Sequence, residues 1–143
     1  MATTIRDQIM VALLARLQTI YPSAERKYLR TIESNLPAAI IWDSSEYATN
    51  VAYGKQRLKF MANVAIGHRL SANENASVIG NDLLGNLIKV IIASDQTLGS
   101  LAIAVRYQNS NINYPEPGGD WIVGFETTFE VEYETNLGDP YQQ

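Results

Sequence analysis

Apolar residues recur at helical spacing through the first twenty positions: Ile5, Ile9, Leu13, Leu17 and Ile20, with Met10 and Leu14 widening the stripe. That period predicts an amphipathic helix over residues 4–20. Thr3 or Thr4 supplies its N-cap, and Asp7 in the first turn suits the helix dipole. Pro22 ends it, because proline disfavours helical geometry at the residue before it. Residues 23–36 read equally as a short helix or a strand. Ala38–Trp42 reads as a short buried strand, and Asp43–Gly54 as a polar loop. Period two then takes over from Gln56 to about His68. Leu58, Phe60, Ala62, Val64 and Ile66 alternate there with Arg57, Lys59, Met61, Asn63 and Ala65. A second helix is expected from about Glu74 to Ala93, with Val78, Ile79, Leu83, Leu87, Val90 and Ile91 inward. Gly80 and Gly85 weaken it intrinsically by roughly 1 kcal/mol each, so packing must hold it. Leu101–Tyr107 reads as another strand.

The cleanest alternation closes the chain. Trp121, Val123, Phe125, Thr127, Phe129, Val131 and Tyr133 predict a core-facing row. Glu126, Thr128, Glu130, Glu132 and Glu134 dominate the opposite face. Residues 108–120, rich in Asn, Pro and Gly, read as an exposed loop. Residues 136–143 read as an extended tail. The fold expected is one α+β domain over residues 1–143. Its order is α-β-β-α-β-β, with a mostly antiparallel four-stranded sheet and two main helices packed on one face.

Composition narrows the chemistry. A chain of 143 residues can bury a core without staples. Without cysteine it has no disulfide, thiolate metal site or cysteine nucleophile. The apolar runs are too short or too interrupted for a signal peptide or membrane span, so a soluble protein is expected. Charge is uneven. Residues 1–72 hold nine Lys/Arg against five Asp/Glu, and residues 73–143 hold two against ten, within a net charge of −4. Such a split suits a basic face on one copy meeting an acidic face on the next. The candidate surface is basic at Arg26, Lys27, Arg30, Arg57 and Lys59, and acidic at Glu126, Glu130, Glu132 and Glu134, facing a subunit interface or a lumen.

Catalytic motifs are sparse. His68 is the single histidine, with no neighbouring ligand pattern for a metal. Gly80–Gly85 lacks the lysine and preceding strand of a phosphate loop. Ser44-Ser45 has no nucleophile-elbow context. Pro117-Gly118-Gly119-Asp120 reads as a turn. Glu130 and Glu132, roughly 7 Å apart along a strand, fall between the two glycosidase spacings. The basic cluster could touch phosphates, but an isoelectric point near 4.9 speaks for protein contact. No enzyme activity or cofactor is expected.

Four stretches resemble the tail terminator (tail completion) proteins of long-tailed bacteriophages: Ile5–Ile20; Leu58–Arg69 leading into Asn81-Asp82-Leu83-Leu84; Ser94–Ala102; and Gly124–Thr135 with Asp139-Pro140 beyond. The resemblance implies a homo-oligomeric ring, typically a hexamer, in the virion at the head-proximal end of the tail, assembled in the host cytoplasm. It would cap the tail tube, end tail polymerisation and join the tail to the head. Its implied partners are the tail tube protein, a neck or head-completion protein and, in a contractile tail, the sheath. DNA would pass through unbound, and no membrane is involved. Other connector, tube or baseplate proteins are alternatives. A small ligand-binding or hydrolytic α/β domain, with His68 and Glu126 converging in a pocket, is another.

Overall fold

The computed structural model describes residues 2–27, 37–115, 117–119 and 121–143. Helix α1, Ile5–Gln18, starts at Thr4, whose hydroxyl accepts the Asp7 amide and so satisfies one orphan donor of the first turn. Strands β1 (Glu25–Arg26), β2 (Ala38–Ala52) and β3 (Lys55–Arg69) follow. Helix α2, Ala76–Ile88, is capped by the Asn75 side chain. It runs on as a π-helical turn over Lys89–Ala93 before β4 (Ala104–Asn113) and β5 (Ile122–Asn136). Arg16 Nη1 donates to the Ile91 carbonyl at 2.6 Å, satisfying an acceptor of that turn and tying the two helices together.

Among the described residues the strands form one sheet, ordered β1-β2-β3-β5-β4. Neighbours are antiparallel except β1, which lies parallel to β2 over two residues. Strands β3 and β4 both oppose β5, so they run parallel to each other with β5 between them. That topology needs a crossover, which α2 provides. Phe60, Ala62, Val64 and Ile66 of β3 and Phe125, Phe129 and Val131 of β5 join one core with Ile9, Leu13 and Leu17 of α1 and Leu87 and Ile91 beyond it. Both helices therefore cover the same face. Gly80 explains how closely α2 approaches: a Cβ there would lie 3.4 Å from Ile112 Cγ2 and 3.5 Å from Val123 Cγ2. Gly85 meets nothing within 4 Å, so it is not a packing device.

Several sequence expectations need correction. The sheet has a fifth strand, the short β1, and the order becomes α-β-β-β-α-β-β. Asp43–Ala52 is not a loop but the second half of β2. β4 runs to Asn113, so the loop expected at 108–120 is shorter. Both missed segments are polar because they lie at sheet edges, where neither periodicity nor apolar content marks a strand. Trp121 precedes β5 and is exposed, as is Val78 on α2. Residues 136–143 do not extend away. Asn136 ends β5, its amide donates to the Gln142 carbonyl, and the Pro140 carbonyl accepts the Ile5 amide at 2.9 Å. The C-terminus thereby takes up one orphan donor of α1. The helical run Ala76–Ala93, at 18 residues and mean hydropathy 1.4, is longer than the apolar runs suggested and would suffice by length and composition to cross a membrane. Here Leu87 and Ile91 are in the core, and Asp82 and Lys89 interrupt the run. Arg30 and most of segment 23–36 lie outside the described residues.

Candidate functional site

The acidic row of β5 does not stand alone. Register places Arg57 opposite Glu134, Lys59 opposite Glu132, and Arg106 of β4 opposite Glu130 on the other side. Directly opposed side chains lie close enough to pair. Arg57 Nη2 reaches Glu134 at 3.2 Å. Lys59 Nζ lies 3.7 Å from Glu130 and 3.9 Å from Glu132. Arg106 reaches Glu130 at 3.5 Å and Glu132 at 3.1 Å. Three cations thus interleave with three carboxylates across three strands. Part of the charge expected to meet between copies, Arg57 and Lys59 with Glu130, Glu132 and Glu134, is thus paired within one chain. Glu126 is the exception. It is exposed, lies between Ala65 and Asn111, and has no ion pair among the described residues.

The basic candidates do not form one patch either. Arg26 sits opposite Ile41, which pairs with Val64, on the helix-covered face. Arg57 lies seven residues further along β3 on the opposite face, about 23 Å away at the strand rise. Arg26 bonds Asp7 at 2.9 Å and lies 3.3 Å from Asp43, while Lys27 pairs with Glu25 at 2.5 Å.

A second polar cluster holds α1 to the sheet, and nothing local in the sequence marks it. Arg6 Nε bonds Asp43 at 2.6 Å, Nη1 lies 3.3 Å from Glu46, and Nη2 donates to the Ser44 carbonyl. Its guanidinium sits 4.8 Å above the Phe60 ring, where the ring quadrupole favours a cation. The Tyr133 hydroxyl donates to Glu46. Burial first, then the Glu46 carboxylate, pushes the Tyr133 phenol well above the usual tyrosine range. The Arg26 hydrogen bond lowers the Asp7 carboxyl. A register irregularity between Asp43 and Glu46 aims both carboxylates at Arg6. Two guanidiniums thus face three carboxylates in a mutually satisfied network, an arrangement that anchors an element rather than activating a proton.

The turn after α2 is built around Asp95. Its carboxylate accepts the Thr97 hydroxyl and the Thr97 and Gly99 amides, led by that hydroxyl, which hold its pKa at about 2. Leu98, Gly99 and Ser100 all have positive φ, at 52°, 66° and 71°. Two non-glycine residues in that region cost roughly 1–2 kcal/mol each. Leu98 is anchored by burial in the core.

His68 and Glu126 do not converge. His68 pairs with Val123 on the helix-covered side, and Glu126 with Ala65 on the other. The Glu74 carboxyl is held low chiefly by the Ser71 amide and hydroxyl, with the least contribution from His68. Glu130 and Glu132 share cations, so they are not a free acid and base. No group of three His, Cys, Asp or Glu among the described residues could hold a metal ion. Surface clefts lie at Arg69, Leu70, Ala72, Gly119 and Trp121 (about 420 Å³) and between the end of α1 and the π-helical turn (about 480 Å³). Comparison of the chain with family models and with curated proteins returns no match.

Proposed function

We propose that the chain is a structural virion protein that forms a ring capping a phage tail tube, ends tail polymerisation and joins the tail to the head. The observation that carries the reading is the part played by its most specific resembling stretch. Gly124–Thr135 lies within β5, which has β3 on one side and β4 on the other. Asp139-Pro140, the rest of that motif, forms the turn whose Pro140 carbonyl accepts the first amide of α1. The resembling residues therefore organise the sheet and its junction with the helices, which suits a family whose shared property is shape and assembly. The paired ion ladder adds support. It makes one face of β3, β4 and β5 polar and nearly neutral, a surface suited to DNA passing without binding. In this reading Glu130, Glu132 and Glu134 serve the ladder, and the subunit contacts draw on other residues. Hexameric order, tube and neck partners and a place at the head-proximal end of the tail follow from the same resemblance.

Electron microscopy of the purified protein mixed with its tail tubes tests the reading. Rings seated on tube ends, with tubes of uniform length, are the expected result. A strict monomer that leaves tubes growing would overturn it. Polymerisation into tubes by the protein alone would favour the tail-tube alternative.

A further inference from the structure

The apex of the β2–β3 hairpin carries two local costs on one residue. Tyr53 has φ 52° and Gly54 φ 73°, so both central turn residues lie in the left-handed region that a two-residue hairpin of this hand requires. Asn or Asp normally takes the first position. A tyrosine there is sterically disfavoured. Its side chain is also fully exposed, at 104% of the reference area. Its ring packs against no other side chain among the described residues. Strain combined with exposure at one aromatic side chain points to a contact made elsewhere.

The apex is held rigidly. The Leu137 amide donates to the Gly54 carbonyl at 2.8 Å, and Lys55 Nζ donates to the Asn136 side chain at 2.6 Å. Leu137 is 55% exposed. Asp139, which pairs back onto Asn136, makes no ion pair among the described residues. The hairpin strands, at 15 residues each, span about 50 Å. The helical layer is shorter, about 21 Å for α1 and about 27 Å for the Ala76–Ala93 run. The apex therefore presents an aromatic knob and an aliphatic neighbour, with the half-buried Asp139 carboxylate beside them, which accepts the Tyr141 amide at 3.1 Å and meets no cation among the described residues.

A complementary surface lies on the helical layer. Ile20, Val90 and Ala93 line an apolar groove of about 480 Å³, with Asn86, Lys89 and Ser94 at its polar parts. That volume accommodates an aromatic side chain and an aliphatic one. Lys89 makes no ion pair among the described residues and is exposed.

We propose that the hairpin apex of one copy of this chain docks into the groove of a second copy. Tyr53 and Leu137 meet Ile20, Val90 and Ala93, and Asp139 pairs with Lys89. The choice of a second copy rests on the ring-forming reading above and on this match of opposite charges, neither of which has an ion-pair partner among the described residues. The two patches share no residue, so the contact is heterologous and repeats head to tail, as a closed ring requires.

Charge exchange tests the contact. Lys89→Glu and Asp139→Lys are each expected to reduce the wild-type ring to monomer in sizing with light scattering, and the double variant to restore it. Tyr53→Ala is expected to raise the concentration at which the ring dissociates by at least about 10-fold. Each variant is checked for wild-type circular dichroism. Native single variants that assemble like the wild type, or a native double variant that stays monomeric, overturn the contact while leaving the ring reading intact. A wild-type protein that stays monomeric even with tail tubes overturns the ring reading and this contact together.

Discussion

The two faces of β5 are equally regular in sequence and unequal in what holds them. On the helix-covered face Val123, Phe125, Phe129 and Val131 are almost wholly removed from water, and Thr127 between them is buried too. On the other face Glu130 and Glu132 keep side-chain exposures of 17% and 11% and are held by Lys59 and Arg106. The first face is stabilised by burial, which needs no precise partner and scales with area. The second is held by register, since each carboxylate needs a cation directly across the strand. A half-buried ion network under α1, centred on Arg6, stands between the two regimes.

Truncating the apolar face should show the largest effect. Phe129→Ala removes a side chain that packs edge-on against Tyr107, with ring centroids 6.2 Å apart. It should cost about 3–5 kcal/mol in urea unfolding. The intermediate network should respond less. Arg6→Met keeps the stem but leaves Glu46 without its cation and Asp43 with Arg26 alone. A loss of about 2 kcal/mol is expected, between the surface and buried limits.

Tyr133→Phe, in the same network, should cost about 1.5 kcal/mol at neutral pH through the lost bond to a carboxylate. It also has a pH signature. The folded phenol ionises above the unfolded value of about 10. The unfolded chain therefore loses that proton first, and stability should fall as pH rises from about 10 toward the folded value. Tyr133→Phe should flatten that alkaline limb. Tyr21, raised by burial, should leave a smaller residual slope.

The ladder should be weaker and salt-dependent. Glu132→Gln should cost about 1 kcal/mol at low salt and somewhat less near 1 M, because its partners Lys59 and Arg106 are the more exposed members of the pairs and salt screens them in part. An undiminished cost at high salt would show that Glu132 acts by packing instead. The smallest change is expected at Thr127, whose buried hydroxyl has no hydrogen-bond partner. Thr127→Val should be neutral or stabilising by up to about 1 kcal/mol, since it removes an unsatisfied polar group at nearly constant shape.

Elements marked by their own periodicity were legible before the structure. Helix α1 keeps the stripe Ile5, Ile9, Leu13 and Leu17, although Ile20 falls beyond its end and is exposed. Strands β3 and β5 lie within two residues of their expected limits. The outer half of β2 and most of β4 were not legible. Residues such as Ser44, Tyr47, Asn109 and Asn111 form strands because a neighbour offers hydrogen bonds, not because their pattern demands it. Among the candidate site residues the chemistry was legible and the pairing was not. Glu130 and Glu132 were visible as an acidic row, yet Lys59 and Arg106, about 70 and 25 residues away in sequence, decide what that row does.

Sequence alone determined the closing strand's inward face, because alternation is local and period two admits one buried side. It also determined the opening helix and the poverty of catalytic motifs. Only the tertiary structure decided that the glutamate face is neutralised within the chain, that the C-terminus folds back onto α1, and that Tyr53 stands at the apex of a braced hairpin. Each depends on strand register and on contacts between residues distant in sequence, which no local pattern encodes.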